Sequence, residues 1–204
     1  MVKLHLYVEG GGDSKVLRSA CRRGFSEFLT MASLSGHMPR IVASGGRRQA
    51  YDDFCTALQQ GRHAAMLLVD SEDPVTVTSP WTHLLQRTAD AWPTPQGASD
   101  DDCHLMVQCM ESWFLTDRGT LGAFFGQGFN PGALPSERTP VESVAKATVY
   151  QALANATRNC KTKAQYGKGE HSFQLLAQID PANVIAASPW ASRFVATVKT
   201  RLRA

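Results

Sequence analysis

LHLYVEGGGDSKVLRSACRRGF, Leu4 to Phe25, is the stretch from which the fold is read. Leu4 to Val8 is an apolar run of strand length that stops at Glu9; three glycines follow, and from Asp13 the apolar positions recur at helical spacing. Strand, carboxylate, tight turn and helix thus succeed one another directly. Ligands of open α/β sheets bind beyond the carboxyl ends of the strands, so an acid placed there is better sited for chemistry than for the core. Val16, Leu17, Ala20, Cys21, Phe25, Phe28 and Leu29 carry the helix to Leu29, with Asp13 as its expected N-cap.

The unit repeats. A turn from Ser35 to Pro39 leads to a short strand, Arg40 to Ala43, and SGGRRQAYDDFCTALQQG supplies a loop and a second helix ending at Gly61. AAMLLVD, Ala64 to Asp70, is a third buried strand, again closed by an acid, here within Asp70-Ser71-Glu72-Asp73. Ser79-Pro80 pairs an N-cap with proline at the first helical position and predicts a helix to about Ala91. The same device recurs at Thr139-Pro140, Asp180-Pro181 and Ser188-Pro189, with Glu142 completing a capping box at Thr139. HLMVQCM, His104 to Met110, predicts a fourth strand with Glu111 directly after it, and from Trp113 onward the pattern is helical.

Alternating strands and helices predict an α/β fold of Rossmann-like type: a mainly parallel sheet with helices on both faces, because parallel neighbours need a crossover of helical length. Residues 1–112 form the expected α/β core and 113–204 a helical C-terminal portion packed on it. The 204 residues are 43% hydrophobic and 19% charged, an ordinary globular composition. A net charge of +3, from 21 basic and 18 acidic residues, is too balanced to argue for a polyanionic partner from bulk charge. Five scattered cysteines without a C-x-x-C pair read as reduced core residues of a cytoplasmic protein, and no segment reads as a leader or a membrane span.

On this geometry Glu9, Asp70 with Glu72 or Asp73, and Glu111 can converge on one edge of the sheet. Carboxylates brought that close repel one another unless a cation compensates them. A hard divalent ion does so, and magnesium needs only two or three acids because it keeps several waters.

The glutamate of VEGGGDSK and the acidic cluster of LLVDSED resemble the topoisomerase-primase (TOPRIM) domain. Together with VQCMESWFLTD and the late YGKGEH segment, they are similar to a family of bacterial TOPRIM-like proteins of unassigned function, often encoded beside an AAA- or ABC-type ATPase and connected with defence against phage. The resemblance implies a TOPRIM-like fold, Mg2+ (or Mn2+) and phosphodiester chemistry on nucleic acid. Glu9 corresponds to the motif glutamate, a metal ligand or general acid/base, and Asp70 and Glu72 to the metal-binding D-x-D pair. The second member is here a glutamate with Asp73 directly after it, so either acid is a candidate for the ion. A topoisomerase or a primase needs further modules, which leaves a nuclease, as in the overcoming-lysogenization-defect nucleases that join a TOPRIM domain to an ABC-type ATPase. The alternative is a non-catalytic subunit docking on an ATPase through surface aromatics such as Trp81, Trp92 or Trp190.

Each candidate also has a plainer account. Asp13 and Asp117 are better read as helix caps, Asp100 to Asp102 as a solvated run, and Glu111 as either a metal ligand or a buried acid paired with Arg or Lys. Arg47 and Arg48, at the carboxyl end of the second strand, are candidate phosphate contacts. The segment NCKTKAQYGKGEHSF is the densest basic stretch near an aromatic: Lys163, Tyr166 and Lys168, with Lys146 upstream, are candidate substrate contacts, and Lys168 and His171 candidate catalytic residues. A solvated loop is the competing account of that segment.

Overall fold

The four apolar runs form one sheet. A computed structural model describes residues 4–34, 36–169 and 171–203; Ser35, where the first turn was expected to begin, lies outside them. Strands β1 (Leu4–Gly11), β2 (Arg40–Gly45), β3 (Ala64–Asp70) and β4 (Cys103–Met106) lie in the order β2-β1-β3-β4, and every pairing is parallel. The fold is α/β and Rossmann-like.

Period-two alternation sorts the strand side chains onto two apolar layers. Leu4, Leu6, Val8, Met66, Leu68 and Met106 join one core, and Tyr7, Ala65, Leu67, Val69, Cys103 and Leu105 the other. Helix α1 (Lys15–Leu29) covers the first layer through Cys21, Phe25 and Phe28, while α2 (Arg47–Gln60) covers the second through Ala50, Tyr51 and Phe54. The connection through α1 steps from β1 to β2, and the one through α2 steps back past β1 to β3. Right-handed crossovers in opposite directions place their helices on opposite faces, as here. The reversal also opens a crevice between β1 and β3 at their carboxyl ends, the topological switch point.

Helix α3 is Pro80–Gln86, followed by α4 (Arg118–Phe125), α5 (Lys146–Thr157), α6 (Ser172–Leu176), α7 (Pro181–Ala187) and α8 (Pro189–Arg203). Val149, Leu153, Phe173, Leu176 and Phe194 from these later helices pack into the same core as Leu6, Val8 and Leu68, so the C-terminal helices close the face that α1 begins.

Local signals held where the nearest polar group was also the partner. Asp117 accepts from Thr120 N and caps α4, and Gly61 ends α2 with a left-handed φ of 60°. Four expectations need correction. Ser14, not Asp13, caps α1 by accepting from Leu17 N, and Asp13 turns outward to Arg18. α3 stops at Gln86 because Arg87 leaves the helix to pair with Asp73 and Asp90. β4 ends at Met106 rather than Met110: the chain there bends so that Met110 N donates to Asp70 Oδ1, and a 3-10 turn, Met110–Thr116, follows. The capping box at Thr139 does not form; Glu142 accepts instead from Ser188 Oγ and Trp190 N, at the start of α8.

Trp81 and Trp92 are buried, with Tyr51 stacked on Trp92 at 4.5 Å, and are core residues rather than docking anchors; Trp190 is half-buried. All five cysteines are free; Cys21, Cys103 and Cys109 are buried, while Cys55 and Cys160 are only half-buried. Among the described residues no helix is long and apolar enough to cross a membrane.

Candidate metal centre at the switch point

Glu9 leaves the carboxyl end of β1 and Asp70 that of β3, on either side of the crevice. The two strands stay in register to Val8↔Leu68, and just beyond it Asp70 N donates to Glu9 Oε2 at 3.3 Å. Past Glu9 the strand runs on through Gly10 and Gly11 beside Gly45 and turns at Gly12: a Cβ on Gly45, whose φ is 91°, would stand 2.6 Å from Gly12 O, so the turn and the end of β2 approach closer than any side chain permits.

Asp70 is buried, with Oδ1 accepting from Met110 N at 2.8 Å and Oδ2 from Lys146 Nζ at 3.0 Å. Two residues on, Glu72 adopts a left-handed φ of 67°, a conformation that costs a non-glycine residue about 1–3 kcal/mol. Its N–H donates to Gln108 O at 2.8 Å, and its Oε1 accepts from Lys146 Nζ at 2.6 Å. One oxygen each from Glu9, Asp70 and Glu72 lies within 4.8 Å of the others, the group among the described residues able to hold a metal. Asp73 faces away, bonding Arg87 at 2.7 Å from an exposed position, so Glu72 is the acid that joins the cluster. Oxygens sharing one ion through ~2.1 Å bonds sit at most about 4.2 Å apart, which side-chain shifts of under about an ångström would satisfy. Three hard oxygen donors suit magnesium or manganese.

Two cations hold these acids together. Arg47, the first residue of α2, donates to Asp90 Oδ1 and Oδ2 at 2.9 and 2.7 Å, to Asp70 O, and to Glu9 Oε2 at 3.4 Å. Burial pushes the Glu9 carboxyl above its usual range despite Arg47. Asp70 is raised to about 7, by burial first and then by the charge of Glu9, with Lys146 opposing. For Lys146, burial works to lower the value, but Asp70 and Glu72 outweigh it and hold the ammonium charged.

Beside the cluster lies a cavity of about 270 Å³ whose lining includes Glu9, Asp70, Glu111, Lys168 and the Gly10–Gly12 turn. Glu111 is buried and accepts from Tyr150 OH at 3.0 Å, Tyr166 OH at 3.2 Å and Ser172 Oγ at 3.2 Å. Its partners are three neutral hydroxyls, not the Arg or Lys expected of a buried acid, and it stands outside the three-carboxylate group. A larger cleft of about 620 Å³, around Arg118 and Glu137, gathers no such group among the described residues.

The basic candidates divide. Lys168 is exposed at the cavity, its ammonium 5.3 Å from the ring centre of Tyr150, and Lys146 lies inside the acidic cluster. Arg48 points out to Asp52, one helical turn along α2, and Lys163 sits over Phe124 at 4.4 Å; neither lines the cavity. Tyr166 and His171 are buried: the phenol serves Glu111, and His171 Nδ1 accepts from Gly167 N at 3.1 Å with its ring 5.4 Å from that of Phe125. They build the loop rather than contact a substrate from it. Asp90, Tyr150, Ser172 and Gln108 also shape the site; each has a partner there 34 residues or more away in the sequence, which spacing does not mark.

A family model described as a domain of unknown function (DUF4276) matches residues 8–199. No curated protein and no solved structure matches the chain.

Proposed function

This chain belongs to the DUF4276 family, whose description assigns no activity, and we propose that it is a TOPRIM-like, metal-dependent phosphodiesterase acting on nucleic acid. The observation that supports this most is the meeting of Glu9, Asp70 and Glu72 at the switch point of a parallel sheet. Mg2+ or Mn2+ held there would act as a Lewis acid on a phosphate and acidify a bound water. The chain's own groups supply the rest. Arg47, locked to Asp90, offsets the negative charge from one side; Lys168 offers an exposed ammonium at the cavity for a phosphate oxygen; Glu9 completes the carboxylate set that would hold the ion. From the TOPRIM-like resemblance we further propose an AAA- or ABC-type ATPase partner and a cytoplasmic role in defence against phage.

The test is cleavage of DNA and RNA with Mg2+ or Mn2+ against a chelator, with and without the proposed ATPase partner. Glu9→Gln and Asp70→Asn are expected to abolish cleavage while the protein stays folded; wild-type cleavage by either variant would refute the assignment. One observation favours a second reading: Lys146 already supplies a cation to Asp70 and Glu72. If that ammonium is permanent, the protein is a non-catalytic subunit that keeps the shape of the site, and no metal enters it.

A further inference from the structure

Lys146 opens α5, where its backbone is pinned: its N–H donates to Gln108 Oε1 at 3.3 Å. Four methylenes carry the ammonium from that anchor into the acidic cluster, to Asp70 Oδ2 at 3.0 Å and Glu72 Oε1 at 2.6 Å. Among the described residues, the hydrogen bonds of the ammonium go to these two carboxylates alone. They are two of the three that form the candidate metal group.

The other cation is held differently. Arg47 donates twice to Asp90, once to a backbone carbonyl, and lies 4.9 Å from the ring centre of Trp92. Withdrawing it would break a bidentate pair and a ring contact that have nothing to do with metal. Among the described residues Lys146 has no such second attachment, and its side chain is 19% exposed, so solvent is within its reach. An ammonium and a small divalent ion are attracted to the same oxygens by the same force and cannot both occupy the space between them.

We infer that Lys146 is the resident counter-ion of the centre, that a divalent cation enters by displacing it, and that Lys146 therefore sets the metal affinity. This rests on the metal reading above. Without metal, the ammonium keeps Asp70, Glu72 and Glu9 from repelling one another; with metal, it swings to solvent about its fixed backbone.

Calorimetric titration of the full chain with Mn2+ tests this in four proteins: wild type, Lys146→Met, Lys146→Gln and, as a charge control, Lys163→Met, whose ammonium lies over Phe124. Both Lys146 variants are expected to bind Mn2+ about ten-fold or more tightly than wild type, the low end of measured couplings between close charges, while Lys163→Met stays within about two-fold. Without metal, the Lys146 variants should melt lower than wild type, and Mn2+ should narrow that gap. Equal affinities in all four overturn the inference and leave the metal reading standing, as does an equal gain in the charge control. Failure of all four to bind overturns both. Binding by the Lys146 variants alone supports displacement and removes the catalytic reading of the wild type.

Discussion

At the scale of single residues, Asp70 carries the electrostatic tension of the site. Burial and the charge of Glu9 raise the Asp70 carboxyl to about 7, so at neutral pH folding disfavours the ionised form that the unfolded chain carries. The folded protein holds that proton more tightly than the unfolded chain does. Metal-free stability should therefore gain from Asp70 as the pH falls from about 7 towards 4 and lose that gain as the pH rises again. His104, buried and lowered to about 3, works in the opposite sense below its unfolded value. The difference between wild type and Asp70→Asn in denaturant melts at pH 5 and pH 8 isolates the carboxyl: wild type should gain on the variant at pH 5. A difference independent of pH would mean that Asp70 stays ionised throughout. Lys168 and His171, neighbours in the sequence, separate at this scale too. Lys168→Ala should change stability by no more than about 0.5 kcal/mol, whereas His171→Ala, which empties a site against Phe124 and Phe125, should cost about 2 kcal/mol or more. Equal effects in thermal melts would return His171 to the surface. Sequence spacing could not distinguish the two, because burial in a loop depends on what packs over it.

Among the elements, those whose signals are local were legible. Apolar runs gave the cores of the strands, Ser79-Pro80 and Asp180-Pro181 gave helix starts, and Gly61 gave an end. Misreadings arose wherever a distant partner competed. Glu142 has the spacing of a capping box with Thr139, yet it serves Ser188 and Trp190, 46 and 48 residues on. Glu142→Ala should accordingly loosen α8 and cost about 1 kcal/mol, seen as faster amide exchange in Pro189–Arg203. If protection is lost near Val141 and unchanged in α8, the assignment of Glu142 is wrong. β4 ended early for a similar reason: periodicity extends the strand to Met110, but Met110 N has a carboxylate to bond in Asp70. The choice between Glu72 and Asp73 likewise turned on a left-handed backbone and on Arg87, neither of which is written in the acidic run itself.

On the scale of the whole molecule, strand order does most to make the site. Three acids spread over 64 residues meet because β1 and β3 flank the point where the chain reverses direction across the sheet. Acids at strand ends could be read from the sequence; the order β2-β1-β3-β4 and the later helices that close one face could not, because they depend on contacts between segments far apart. Those helices, with the loop that joins α5 to α6, also bring the hydroxyls of Tyr150, Tyr166 and Ser172 to Glu111 and the ammonium of Lys146 to Asp70 and Glu72. An ion at about 100 times its Kd would add about 2.7 kcal/mol to stability, so millimolar Mn2+ should raise the melting temperature of the wild type, and less so that of Glu72→Gln. The most direct measurement is an anomalous-difference map from a crystal soaked in Mn2+. A single peak within bonding distance of Glu9, Asp70 and Glu72, with the Lys146 ammonium withdrawn, is the predicted result. An empty cluster with Lys146 still bonded to Asp70 and Glu72, under Mn2+ that appears elsewhere in the crystal, would contradict it.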